Sequence, residues 1–128
     1  MNTSPPNGDS HTTVAELKSL VAQFVAERDW SQFHSPKNLS MAIAIEAAEL
    51  MEHFQWLEPG ASRLVAVDEQ RLSAVGEEIA DVVAYAMALA NELGLDLAST
   101  IKAKMVKNHA KYPAGEFRGR YSRDQRPS

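Results

Sequence analysis

Two pairs of acids interrupt the two most apolar stretches of the chain, and their spacing is that of a helix. Glu46 and Glu49 are the only charged residues between positions 39 and 51. Asp81 is the only one between positions 79 and 90, and Glu78 directly precedes that stretch. Residues three apart project from one face of an α-helix but from opposite faces of a strand. The spacing therefore predicts two helices, each carrying two carboxylates on one face.

Helical periodicity continues over most of the chain and predicts four helices. The first begins at a capping box formed by Thr13 and Glu16, and the others span about residues 35–57, 68–93 and 96–111. Apolar residues three and four apart predict the buried face of the first helix: Leu17, Leu20, Val21, Phe24 and Val25. Short connections favour an all-α four-helix bundle. The second and third helices are apolar on more than one face, so we expect assembly into a homo-oligomer through them.

Composition indicates one soluble domain. The chain has 128 residues, a net charge of −4 and no cysteine. We expect a disordered segment at residues 1–12, a domain at 13–113 and a flexible tail at 114–128. The acidic balance argues against a nucleic-acid polymer as partner, and the lack of cysteine excludes disulfides and favours the cytoplasm. No stretch has the pattern of a signal peptide or of a membrane span, so no membrane contact is expected.

Glu46 stands in line with the apolar positions of its helix, where an apolar residue is expected. Most acids on helices are simply solvated, and that alternative stays open here. Carboxylates at core positions, however, are costly unless something positive pairs with them. If the second and third helices pack antiparallel, the two acid pairs can meet as a cage. A hard divalent cation, Mg²⁺ or Mn²⁺ in its place, would relieve the repulsion within it.

A di-iron carboxylate bundle also places acids inside helices, but its ligand pattern differs. That class requires Glu-x-x-His on two helices, whereas Glu46 and Glu78 are each followed at that spacing by another acid. The four histidines show no zinc-ligand spacing either. An all-oxygen site favours Mg²⁺ or Mn²⁺ over redox iron. This indicates phosphate chemistry, in which Glu46 or Glu49 could serve as general base.

Other polar and aromatic residues could complete a nucleotide site. Lys104 and Asn108 share a helix face and could hold outer phosphates, although lysines on a solvent face are an equal alternative. Trp30, Trp56 and Tyr85 could stack on a nucleobase, with burial in a core as the alternative for each. The chain has no glycine-rich phosphate loop, so a metal and side chains would have to hold the phosphates.

The acid motifs and four longer runs resemble a known family. Glu46-x-x-Glu49 followed by Glu78-x-x-Asp81 matches the E-x-x-E…E-x-x-D signature of the MazG-like, all-α nucleotide pyrophosphohydrolases. A narrower resemblance, to the dCTP pyrophosphatase branch, covers roughly residues 13–113. It is carried by the runs FVAERDWSQFHSPKNL (24–39), EAAELMEHFQW (46–56), EEIADVVAYAMALA (77–90) and KMVKNHAKYP (104–113).

The resemblance implies a Mg²⁺-dependent enzyme that cleaves dCTP and related deoxynucleoside triphosphates between the α and β phosphates. The products would be dCMP and pyrophosphate, and the physiological role would be cleansing of the nucleotide pool. The assembly would be a tetramer of helical bundles. The residues that it assigns to Mg²⁺ are Glu46, Glu49, Glu78 and Asp81; those assigned to the base are Trp30 and Trp56; those assigned to sugar and phosphate are Tyr85, Lys104 and Asn108. His109 and Ala110 stand where relatives often carry basic residues.

Two alternatives stay open beside this interpretation. A MazG-like enzyme could instead prefer dUTP, a broad range of nucleoside triphosphates or a phosphoribosyl-nucleotide. The chain could also be a catalytically silent helical interaction module. Thermal stabilisation by a metal would argue against the silent module, because a ligand that binds only the folded state raises its apparent stability.

Overall fold

The computed structural model describes residues 5–121, and all regular structure within them is helical. The helices are α1 (Val14–Glu27), α2 (Pro36–Glu52), α3 (Pro59–Arg63), α4 (Glu69–Leu93), α5 (Leu97–Lys111) and α6 (Ala114–Phe117), with 3₁₀ helices at Trp30–Phe33 and Leu64–Val67. The predicted all-α class is confirmed. The described helices are all too short or too polar to cross a membrane. The chain forms two compact units, the first ending at Leu95 and the second beginning at Asp96.

Each long helix begins at a side-chain cap, as its sequence predicts. At α1 the Thr13 hydroxyl accepts from the Glu16 amide at 3.1 Å, and the Glu16 carboxylate accepts from the Thr13 amide at 3.4 Å. Ser35 caps α2, Asp68 caps α4 and Asp96 caps α5, each accepting from a backbone amide three residues on. Such caps pair amides that have no partner inside the helix. Four of the described helices, 14 to 25 residues long, begin where capping chemistry predicts.

The end of α2 differs from the prediction. The helix stops at Glu52 instead of continuing to about Leu57. Residues 53–57 form turns, in which the amides of His53 and Phe54 bond to carbonyls three residues back, at 3.2 Å and 2.9 Å. This tightening is a common way for a helix to end. Trp56 therefore lies in a turn and not on a helix.

Pro59 starts a short helix, α3, that was not predicted. It occupies the first turn of α3, where a missing amide hydrogen removes no intrahelical bond. The 3₁₀ helix Leu64–Val67 follows directly. This short pair of elements, like α6, has too few residues to show periodicity in sequence. The described residues therefore contain short helices besides the four long ones predicted.

In the first unit, α4 packs more extensively against α2 than against α1. The Asn91 side-chain amide donates to the Lys18 carbonyl at 3.0 Å, and the Lys18 ammonium donates to the Leu95 carbonyl at 2.6 Å. These two bonds tie α1 to the end of α4. The buried apolar residues all belong to this unit: Val25, Leu39, Val65, Val75, Met87, Ala88 and Ala90.

The predicted buried face of α1 is covered only in part. Val25 is buried, but Leu20 and Phe24 are 65% and 48% exposed. The prediction fails for these side chains because α4 is the only long helix that packs extensively against α1 within the first unit. Large apolar side chains are also exposed on α2 and α4, for example Ile45 and Ile79. A single copy of the first unit thus leaves much of its apolar surface in water.

The predicted terminal segments fall partly outside the described residues. Residues 1–4 and 122–128 lie outside them. Within them, residues 5–12 form successive turns, in which the Gly8 amide donates to the Pro5 carbonyl at 2.9 Å. In the second unit, α6 follows α5, and its Phe117 ring meets the Tyr112 ring edge-on with centroids 5.1 Å apart.

Candidate functional site

Three acids meet where α2 packs against α4. Glu46 and Glu49 lie about one turn apart on α2, and Glu78 lies on α4. One carboxylate oxygen from each lies within 4.8 Å of those from the other two, and we call these three residues the acid cluster. Glu46 and Glu78 are half-buried, whereas Glu49 is exposed. Packing of the two helices thus brings together three of the four acids selected by their spacing.

The surroundings of Glu46 raise its pKa from 4.5 to about 7. Burial is the largest cause, because it penalises the charged form of the carboxyl group. The nearby carboxyl groups of Glu49 and Glu78 raise the pKa further, since a protonated carboxyl can share its proton with a neighbour and an ionised one cannot. The negative charges of Glu49 and Asp81 act in the same direction. These causes together favour the protonated form of Glu46 at a pH where an ordinary glutamate is ionised.

The acid cluster fits a hard divalent cation. Oε2 of Glu46 and Oε2 of Glu78 are buried without a hydrogen-bond partner, and no salt bridge reaches the cluster among residues 5–121. Mg²⁺ takes oxygen ligands at about 2.1 Å, so ligands on opposite sides of the ion stand about 4.2 Å apart. The oxygens of the cluster lie within 4.8 Å of one another, and small side-chain shifts would bring them to that geometry. The donor set consists of oxygens alone, which suits Mg²⁺ or Mn²⁺.

Asp81 lies at the edge of the acid cluster and not inside it. Its charge contributes to the raised pKa of Glu46, but it is not one of the three acids whose oxygens lie within 4.8 Å. It also lines a cavity of about 420 Å³ in the first unit. Three of the four acids thus form the cluster, and Asp81 lies beside it in the wall of the cavity.

Rings form one side of this cavity. Phe24 meets Trp30 edge-on with centroids 5.6 Å apart, Trp30 lies 6.4 Å from His34, and His34 lies 6.5 Å from Tyr85. The remaining lining is aliphatic: Leu20, Val21, Val25, Ala84 and Ala88. Small-molecule pockets commonly enclose about 300–1,000 Å³ and combine an apolar lining with few polar groups. The cavity can therefore receive a flat, partly polar ring beside the carboxylates.

The loop that holds Trp30 is fixed by local hydrogen bonds. Asp29 precedes it with φ 53° and ψ 41°, the left-handed region that Asp tolerates better than most residues. The Gln32 amide donates to the Asp29 carbonyl at 3.0 Å, and the Asn38 amide donates to the Phe33 carbonyl at 3.0 Å. These contacts reverse the chain after α1 and place Trp30 in the wall of the cavity.

The other predicted substrate residues lie elsewhere in the described chain. Trp56, in the turn after α2, is 87% exposed and does not line the cavity that contains Trp30 and Tyr85. Lys104 and Asn108 lie on α5 in the second unit. There the Asn108 amide contacts the Met105 sulfur at 3.7 Å. Within the first unit, the structure thus joins Trp30 and Tyr85 to Asp81.

His34 is a candidate that the sequence pattern did not reveal. It lines the 420 Å³ cavity and a second one of about 160 Å³, and its Nδ1 is buried without a hydrogen-bond partner. The spacing of the histidines in sequence bears only on metal ligation, and it gives no sign of a role for a single histidine. Its place four residues after Trp30 is visible in the sequence. The proximity of Tyr85, which lies on α4, is not.

Known proteins resemble this chain over most of its length. The family model described as MazG-like matches residues 41–123, a range that includes all four acids. Bovine dCTP pyrophosphatase 1 is 39% identical over 120 residues, which cover 91% of this chain and 69% of the bovine protein. Human dCTP pyrophosphatase 1 is 40% identical over 102 residues, 80% of this chain and 60% of the human protein. The chain thus spans 60% to 69% of the length of these relatives.

A solved structure is similar to this chain in both fold and sequence. The crystal structure of a pyrophosphatase from Archaeoglobus fulgidus superposes with a TM-score of 0.72 at 40% identity, covering 80% of this chain and 94% of that one. The family model, the curated relatives and the solved structure agree with one another, and the chain belongs to the MazG-like family.

Proposed function

We propose that the protein is a nucleotide pyrophosphatase that hydrolyses dCTP, and related deoxynucleoside triphosphates, between the α and β phosphates. Water adds to the α phosphorus, the bond from that phosphorus to the bridging oxygen breaks, and dCMP and pyrophosphate leave. The observation that carries the proposal is the acid cluster, with its unpartnered Glu46 and Glu78 oxygens beside a ring-lined cavity. The relatives named dCTP pyrophosphatase 1 support the choice of substrate.

The acid cluster would hold Mg²⁺, or Mn²⁺ in its place, through Glu46, Glu49 and Glu78, and Asp81 is proposed as a fourth ligand because its charge already acts on Glu46. Such an ion neutralises phosphate charge and acidifies water. Such an ion would give the unpartnered oxygens of Glu46 and Glu78 a positive partner. Glu46 or Glu49 accepts the proton of the attacking water.

The cavity would hold the base and sugar. Trp30 and Tyr85 would contact the base and sugar with their rings. The phosphates would lie on the side of the cavity that Asp81 lines, next to the acid cluster. Trp56 is proposed to cover the base, because a tryptophan with 87% of its surface exposed gains from any contact that removes it from water. Lys104 and Asn108, both on α5, are proposed to contact phosphate and sugar, since an ammonium group can pair with phosphate and an amide can bond to a hydroxyl.

Self-association is part of the proposal, with a homotetramer as the expected state. The exposed apolar side chains of α1, α2 and α4 support it, since monomeric proteins rarely leave large apolar patches in water. Ile45→Lys should shift the protein to smaller species in light scattering coupled to size exclusion, whereas Ser40→Lys, on an exposed polar position of α2, should not. A cytoplasmic location is proposed from the absence of cysteine.

The decisive experiment is incubation of purified protein with Mg²⁺ and dCTP, with products resolved by chromatography. dCMP plus pyrophosphate is the expected result, and Glu49→Gln should abolish it. Formation of dCDP and phosphate would contradict α–β cleavage. Faster turnover of dUTP or of other nucleotides in the same panel would reassign the substrate. No turnover of any nucleotide, together with no thermal stabilisation by Mg²⁺, would favour a silent helical module.

A further inference from the structure

One exposed methionine of the second unit contacts a side chain that is proposed to bind substrate. Met105 and Asn108 lie three residues apart on α5, so both project from one face of that helix. The Asn108 side-chain nitrogen donates to the Met105 sulfur at 3.7 Å. Met105 is 47% exposed, and Asn108 is half-buried. A chemical change at this sulfur therefore acts directly on the Asn108 side chain.

The contact with sulfur holds the Asn108 amide in one orientation, but only loosely. An asparagine side chain has a carbonyl oxygen that accepts hydrogen bonds and an amino group that donates them. With the amino group turned to Met105, the oxygen stays available to a donor from elsewhere. A thioether is a weak acceptor, so a ligand can also displace it from the amino group. Asn108 is thus oriented and still free to adjust to a ligand.

Oxidation would turn this weak acceptor into a strong one. Hydrogen peroxide transfers one oxygen atom to a lone pair of the sulfur. Its O–O bond breaks, and the second oxygen leaves with both hydrogens as water. The sulfur loses two electrons and the peroxide gains them, so the step needs no further reactant. The sulfoxide is polar, whereas the thioether is apolar. Because nearly half of its surface is in water, Met105 is accessible to peroxide.

We propose that Met105 is an oxidation site that controls nucleotide binding through Asn108. Hydrogen peroxide converts its thioether to the sulfoxide, whose oxygen binds the Asn108 amino group firmly and keeps that side chain from the substrate. Met105 is a positioning residue, because it acts on the substrate only through its neighbour. The inference rests on the proposed function, in which Asn108 contacts the nucleotide. Methionine sulfoxide reductases reverse this modification, so the effect is reversible.

Peroxide treatment of the full chain tests the proposal, with hydrolysis of dCTP as the readout. We expect the KM of wild type to rise about fivefold with little change in kcat, the effect of losing one hydrogen bond to the substrate. Methionine sulfoxide reductases should reverse the rise. Met105→Leu, which removes the sulfur but keeps an apolar side chain of similar volume, should not respond to peroxide. Met105→Gln, which places a permanent carbonyl acceptor there, should have the raised KM without peroxide.

Met41→Leu is the matched control for the oxidation. Met41 lies on α2 and is 48% exposed, so peroxide reaches it as readily as it reaches Met105. This variant should respond to peroxide as wild type does. Mass spectrometry of peptides identifies the methionines that carry the added oxygen. An equal rise of KM in wild type and Met105→Leu would overturn the proposal, as would an unchanged KM in wild type with Met105 fully oxidised.

The side-chain amide signals of Asn108 in NMR spectra separate this inference from the proposed function. These signals, assigned by their loss in Asn108→Ala, should shift when wild type is oxidised and stay in place when Met105→Leu is treated alike. If no nucleotide is hydrolysed but the shift appears, the proposed function fails and the oxidation site stands. If dCTP is hydrolysed but the signals do not move, the function stands and the oxidation site fails. Absence of both turnover and shift overturns both.

Discussion

Glu46 should make the metal-free protein less stable as the pH rises. Its pKa is about 7 in the folded chain and 4.5 without these surroundings. A group whose pKa is raised by folding stabilises the protein fully below the unfolded value, and that contribution is lost as the pH rises through the folded value. The window therefore runs from about pH 4.5 to about pH 7, opposite in direction to that of a salt-bridged carboxylate.

The size of the effect follows from the two pKa values. At pH 6, Glu46 is protonated in about 90% of folded molecules but in about 3% of unfolded ones, so unfolding releases about 0.9 proton at this residue. The assay is urea unfolding in EDTA between pH 5 and pH 8 at one protein concentration, because association also affects apparent stability. The difference in free energy of unfolding between wild type and Glu46→Gln should decline across this range.

Saturating Mg²⁺ should reverse the trend. The cation and the proton compete for the same oxygens, so metal binding strengthens as the pH rises and stabilises the folded state more. Glu52→Gln, at an exposed acid at the end of α2, is the matched control and should follow wild type. Parallel pH profiles for wild type and Glu46→Gln in EDTA would refute the reasoning, since Glu46 would then titrate alike in both states.

Further predictions concern activity and local structure. Glu49→Gln and Asp81→Asn should each lower kcat at least about a hundredfold while the protein stays folded and associated, because each removes a negative oxygen from the metal site or from proton transfer; near-wild-type kcat in either would contradict the site. Trp56→Ala should raise KM for dCTP with little change in kcat, and an unchanged KM would separate Trp56 from the substrate. Asp29→Val should reduce stability to urea by about 1–3 kcal/mol, because a β-branched residue is strained at φ 53°, whereas Asp29→Gly should not.

The start of each long helix was predictable from sequence, because capping is local chemistry. Thr13, Ser35, Asp68 and Asp96 each accept from an amide within the next turn, and neighbours in sequence are enough to specify that bond. The end of α2 was not predictable in the same way. Its apolar pattern continues through Phe54 and Leu57, although the helix stops at Glu52. Both side chains remain half-buried from a turn, so burial alone does not require a helix.

The exposed side chains of α1 show what hydrophobic periodicity cannot predict. Leu20 and Phe24 belong to a stripe that indicates a covered face, yet each is about half exposed or more in one copy of the chain. Periodicity reports that a face is apolar, not what covers it. Both side chains line the 420 Å³ cavity, so a ligand bound there would remove them from water.

The spacing of four acids in apolar helices by itself indicated a metal-dependent phosphate chemistry. Helical geometry places residues three apart on one face, and buried carboxylates are costly without a cation or a proton. Tertiary structure decided which acids meet. Glu46, Glu49 and Glu78 converge, while Asp81 turns toward the cavity, because the packing of α2 on α4 sets distances that spacing within each helix cannot specify. It also placed His34 between Trp30 and Tyr85 and buried its Nδ1, a contact among residues up to 55 positions apart that no local pattern records.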